Sequence, residues 1–200
     1  MNYKWLFVYA NLWRIIPTYC MLMNCKFADK ANQDLNVWIR NNTQIKTQSR
    51  MLAYGFCMMD TKEYRNVVLN RLHSNPIFYL ITRILFRPLE SLYINMPPEN
   101  VGGGLYFQHG FSTIIAAKEI GEYCDINQQV TVGYKGDSAA VIGNNVKICA
   151  GAIIVGGVKI EDGAKIGAGA VVTHDVEAND VVAGVPAKTI KHQMVCESEY

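Results

Sequence analysis

From residue 114 onward, isoleucine or valine returns every six residues. It stands at Ile114, Ile120, Ile126 and Val132, then at Ile142, Ile148, Ile154, Ile160, Ile166 and Val172. Only the step from Val132 to Ile142 is too long, by four residues. A period of six fits neither an amphipathic helix nor the alternation of a lone strand. It marks a solenoid in which each hexad forms one short flat face. The fourth residue after each anchor is small or apolar at Cys124, Val130, Val146, Ala152, Val158, Ala164, Ala170 and Val176, with Lys118 departing. The branched anchors are expected to fill the interior while the smaller residues let the chain turn beside them. Gly121, Gly143 and Gly167 follow anchors, where a corner would profit from relaxed φ limits.

Three hexads close a coil of about 18 residues, with coils stacked at about 4.8 Å. Coil one is then 114–131, and coil two begins at Val132 and extrudes the loop Gly133–Val141. Ile154 opens coil three, Val172 opens a partial fourth, and the prism ends near Gly184–Lys188.

Residues 1–93 follow helical rules. Asp60 and Glu63 resemble a capping box, after which Tyr64, Val67, Val68 and Leu72 form one stripe. Asn75 and Pro76 read as the cap and first turn of a further helix. Ile77, Leu80, Ile81, Ile84 and Leu85 continue its apolar face up to Pro88. The chain is therefore α+β: a helical region 1–93, a β-helix domain 94–188 and a polar tail 189–200.

The apolar start, Trp5 to Met23, contains Asn11, Arg14 and Pro17. A central arginine costs about 2.5–3.5 kcal/mol in a spanning helix. Lys4, Asn11, Arg14 and Thr18 fall on one helical side. The stretch reads as an amphipathic helix packed on its own protein. A weak membrane-surface contact through residues 1–23 is the alternative. A net charge of +2 and 18% charged residues supply no field suited to nucleic acid. Six cysteines without a CxxC pair read as reduced thiols of a cytoplasmic protein.

A β-helix is a scaffold, so chemistry must come from side chains. His73, His174 and His192 sit in helix-end, corner and tail contexts. His109 differs, because it lies in Tyr106–Gly110 where the chain enters the prism. Counting back one hexad from Ile114 sets it one coil below Asn127. A zinc site of the carbonic-anhydrase kind needs three converging histidines, and none is expected here, so no metal is assigned.

Four segments carry a resemblance to the hexapeptide-repeat acyltransferases, in their serine O-acetyltransferase-like branch. They are Gly-Leu-Tyr-Phe-Gln-His-Gly (104–110), Ile-Asn-Gln-Gln-Val-Thr-Val-Gly (126–133), Ile-Gly-Ala-Gly-Ala-Val-Val (166–172) and Gly-Val-Pro-Ala-Lys (184–188). Within that branch the chain is most similar to short members linked with capsule and surface-polysaccharide synthesis. The resemblance implies a left-handed β-helix, a homotrimer or dimer of trimers, and acetyl-CoA held between neighbouring prisms. His109 matches the family's base, which removes a proton from an acceptor hydroxyl as that oxygen attacks the thioester. Family members often orient the base with an upstream acid, and here Asn95 and Glu99 are equal candidates.

Serine acetyltransferases carry an Arg-His pair in the extruded loop, whereas 136–140 here is Gly-Asp-Ser-Ala-Ala. This favours a sugar or polysaccharide-precursor hydroxyl as acceptor. L-serine is the alternative, and a non-catalytic assembly scaffold is the alternative of another class. Candidate cofactor contacts are Gly133, Lys147, Gly151, Ala152, Lys165, Gly169 and Lys188. Gln108, Asn127 and Lys135 are the candidate acceptor contacts.

Overall fold

The computed structural model describes residues 3–192. The end of the polar tail, with Cys196, and residues 1–2 lie outside the described residues. Six helices come first: α1 (Tyr3–Ala10), α2 (Leu12–Met23), α3 (Ala28–Arg40), α4 (Arg50–Asp60), α5 (Lys62–Leu72) and α6 (Pro76–Leu85). The Asn75 side chain caps α6, accepting from the Phe78 N–H at 3.1 Å. The capping box expected at Asp60 and Glu63 does not form. Asp60 closes α4 and pairs with Lys4 at 2.6 Å, and Thr61 takes the cap position of α5 with no side-chain bond to it.

The prism then winds through five coils. The first holds β1 (Leu92–Ile94) and β2 (Tyr106–Gln108), and the second β3 (Thr113–Ile115), β4 (Glu119–Ile120) and β5 (Asp125–Asn127). The third holds β6 (Thr131–Gly133), β7 (Val141–Ile142) and β8 (Lys147–Ile148), and the fourth β9 (Ile153–Val155), β10 (Lys159–Ile160) and β11 (Lys165–Ile166). The last holds β12 (Val171–Val172) and β13 (Asp180–Ala183). Strands stack in parallel into a first face (β1-β3-β6-β9-β12), a second (β4-β7-β10) and a third (β2-β5-β8-β11-β13). Bridges from Val101 to Ile120 and from Ile160 to Val176 extend the second face into the end coils. β14 (Lys188–His192) turns back antiparallel on β13, so the first residues of the polar tail join the fold. At the other end, β1 crosses the expected boundary at residue 93.

From Ile120 on, the anchors and their small partners are all buried, as the hexad pattern requires. The first anchor is displaced. Ile115, fully buried, pairs with Val132, whereas Ile114 is 46% exposed. The coil entering from β2 is one residue longer than the rule allows, since Phe107 pairs with Ile126. Gln108, rather than His109, therefore lies below Asn127. Gly121 and Gly143 also serve another purpose than the one expected. Neither has a positive φ. A Cβ on Gly121 would meet the Gly143 carbonyl at 2.6 Å, and one on Gly143 would meet Asp162 at 2.3 Å. These glycines let successive coils approach.

A buried ion pair fastens the helices to the prism. Arg71 of α5 holds Asp34 of α3 through two contacts, at 2.8 and 3.2 Å. The same guanidinium donates to the carbonyls of Val101 and Gly102, and Asp34 accepts from the Leu105 N–H at 2.9 Å. Burial pushes the Asp34 carboxyl up, against the pull of Arg71. With every charge answered by hydrogen bonds, the pair fixes where the prism entry sits against α3 and α5.

Candidate active site

His109 follows β2 at the edge where the third face turns into the first. Its φ is +56°, in the left-handed region that the prism corners also impose on Tyr123, Gln129 and Asn145. Such a conformation costs a non-glycine residue about 1–2 kcal/mol, so the fold holds this backbone by force of its corner geometry. The turn is closed by the Phe111 N–H donating to the His109 carbonyl at 2.7 Å, and the imidazole is exposed.

The same edge continues upward as a ladder of backbone bonds. The Gln129 N–H donates to the Phe111 carbonyl, the Gly151 N–H to Gln128, and the Gly169 N–H to Ala150. Gly151 and Gly169 both have positive φ and no side chain nearer than van der Waals distance. The edge thus runs from His109 across three coils, about 14 Å at the usual strand spacing, with Gln128 and Gln129 on the second coil and bare glycine only at Gly151 and Gly169. It offers a narrow strip where an extended chain could lie against backbone.

The remaining candidates fall in different places. Ala152 turns its methyl into the prism core and is fully buried, so only its backbone can meet a ligand. Gln108 and Asn127 stand in register on the third face, and the Asn127 Oδ1 is buried without a partner. Lys147 and Lys165 also stack there in register. Lys147 donates to Asp125 at 2.7 Å, and that bond raises its pKa. Lys188 is exposed on β14.

Gly133 and Lys135 lie on another edge, between the first and second faces. There the loop 134–140 folds on itself through paired bonds between Lys135 and Ser138. Asn95 and Glu99 leave the prism on that edge too, and the structure brings neither beside His109. Glu99 instead pairs with Lys26 at 3.3 Å, and the Asn95 N–H donates to the Ile115 carbonyl at 2.9 Å. A cavity of about 690 Å³ opens between α5, α6 and the first face, lined in part by Asn70, His73, Arg83 and Asn95. His109 is not on its wall.

The carboxylate that does reach the His109 edge is Glu63. A Cβ built on Gly110 would stand 3.3 Å from the Glu63 Cγ, with Leu92 and Phe107 at 3.2 Å. Glycine at 110 leaves room for the Glu63 stem. Among the described residues Glu63 makes no hydrogen bond or ion pair. Sequence reasoning assigned Glu63 to a helix cap, and the free acid beside His109 follows only from how α5 packs on β1 and β2. Among the described residues no cluster of His, Cys, Asp and Glu could hold a metal ion.

Comparison with known proteins agrees with this architecture. Residues 139–174 match the family described as bacterial transferase hexapeptide (six repeats). A serine acetyltransferase of Helicobacter pylori is 36% identical over 121 residues, which cover 56% of this chain and 70% of the relative. The chain belongs to the hexapeptide-repeat transferases. A serine acetyltransferase of Synechococcus elongatus is 34% identical over 120 residues, covering 58% of this chain. The match spans about half the length of that relative, 49%. Among solved structures, the soybean serine acetyltransferase complexed with serine superposes with a TM-score of 0.62 at 27% identity. That likeness covers 81% of this chain and 68% of the soybean chain.

Proposed function

We propose that the chain is an acetyl-CoA-dependent O-acetyltransferase whose acceptor is the hydroxyl of L-serine or a close β-hydroxy amine. The observation that carries this reading is the unpaired Glu63 carboxylate next to the His109–Gly110 turn. An acceptor bearing an ammonium group needs a carboxylate within reach of the base, and a neutral sugar does not. The names of the relatives point the same way.

In this mechanism the pantetheine arm of acetyl-CoA lies along the Gly151–Gly169 track. His109 removes the acceptor hydroxyl proton as the oxygen attacks the thioester carbonyl. The tetrahedral intermediate expels the CoA thiolate, which recovers the proton from the imidazolium. Backbone N–H groups at the prism corner are suited to the oxyanion. Lys135 stands on a different edge of the same prism, so it meets His109 only if a second copy supplies the loop.

The sugar-hydroxyl reading keeps one observation in its favour. The loop Gly133–Val141 carries Lys135 and Asp137 but no arginine or histidine. A carboxylate is best clamped by a bidentate guanidinium. The experiment that separates the two is kcat/KM for L-serine against a panel of nucleotide sugars and short glycans. Serine used at about 10⁴ M⁻¹s⁻¹ or more, the range of a dedicated enzyme, supports the proposal. A sugar used far better than serine overturns it.

A further inference from the structure

Helices α1 and α2 are amphipathic the wrong way round for a helix that buries its apolar side. Lys4, Val8, Asn11, Ile15, Thr18 and Leu22 form the stripe turned to the protein, and half of them are polar. Lys4 pairs there with Asp60, Thr18 is fully buried, and Arg14 donates to the Leu85 carbonyl at 2.8 Å while stacking on Phe86. The opposite stripe is apolar and faces out, with Phe7 at 62% and Trp13 at 68% exposure. Leu6 and Ile16 accompany them.

α6 repeats the inversion. Thr82 is fully buried, whereas Ile77, Leu80 and Ile84 stand exposed at a three-then-four spacing. α2 packs against both α1 and α6, so the three helices that carry these stripes are neighbours. The three helices contain Lys4, Arg14 and Arg83 and not one aspartate or glutamate. Arg83 is exposed, and Arg87 is exposed just beyond α6.

We propose that this face docks on the surface of an anionic lipid bilayer. Exposed aromatic and aliphatic side chains with cations at their rim are what an interfacial site requires, and the one acid at this face, Asp60, is neutralised by Lys4. A second copy of the chain is a poorer occupant. A two-fold contact sets the patch against itself, and these helices hold no carboxylate to answer Arg83 and Arg87. No single described helix is long and apolar enough to cross a membrane; α1 and α2 reach that length and composition only together, and they meet at 73°.

Co-sedimentation of the purified protein with vesicles tests this directly. Binding is expected with phosphatidylcholine–phosphatidylglycerol vesicles, weaker in high salt and absent with phosphatidylcholine alone. The double variant Trp13→Ser/Ile84→Ser changes only exposed side chains and should lose binding while keeping its thermal transition and oligomeric mass. Arg83→Gln/Arg87→Gln should weaken binding about 25-fold, near fivefold for each cation. No pelleting with the anionic vesicles, or equal pelleting with both compositions, overturns the proposal. So does a drop in oligomeric mass of the serine variant, which would assign the face to a second copy. None of these readouts depends on the acceptor.

Discussion

At the scale of single residues, Glu63 is the group whose position the sequence did not disclose. Its stem fits beside Gly110 because that residue has no side chain, and its carboxylate makes no hydrogen bond or ion pair among the described residues. If it holds the acceptor's ammonium, Glu63→Gln removes a charge-assisted bond of about 1.5–3 kcal/mol, a ten- to hundredfold effect on affinity. Steady-state kinetics should therefore show KM for L-serine rising by about that factor, with KM for acetyl-CoA unchanged. An unchanged serine KM would remove Glu63 from the site. Asn95 and Glu99 were the sequence's candidates for the partner of His109, and both leave the prism on another edge. The family resemblance, in which an upstream residue orients the base, names them. The three-sided coil separates them in space, which a linear count cannot show.

At the scale of elements, the hexad period made most of the prism legible. Every anchor from Ile120 to Val172 is buried, because each strand must turn one branched side chain inward. The period failed at the entry, where a longer first coil swaps Ile114 for Ile115. Replacing Ile115 by alanine should cost about 2–5 kcal/mol in urea unfolding, the range for a buried isoleucine. Ile114→Ala should cost less, because its side chain is half exposed, and on the proposed three-fold packing by an amount that varies with protein concentration. The reverse order would mean that the register of β3 is wrong. The helices were less legible. The apolar pattern of α6 and its Asn75 cap were readable, but not which side of the helix faces solvent. Burial there follows Arg71, Asp34 and the cation–π stack of Arg14 on Phe86, contacts between residues far apart in sequence. The direction in which the coil winds is likewise absent from a six-residue spacing and enters through the family.

At the scale of the whole molecule, the candidate site residues of one chain are divided between two edges of the prism. Gly151 and Gly169 share the edge of His109, while Gly133, Lys135 and the extruded loop stand on the next edge. A strip of Tyr93, Ile114 and Ile153, exposed and in register on the first face with Thr131 between the two isoleucines, lies between them. We propose that three-fold packing closes this strip on each of three copies and brings a neighbour's loop toward each His109. Sedimentation equilibrium at micromolar concentration should return a mass that is a multiple of three chains. A monomer or simple dimer would leave the intersubunit site without support. The central claim is that His109 is the base of an acetyl transfer, and the rate of CoA release from acetyl-CoA in the presence of L-serine reads it most directly. His109→Ala, purified at the wild-type oligomeric mass, should lower kcat by about 10²–10⁴-fold with acetyl-CoA binding intact. Wild-type turnover in that variant would contradict the account.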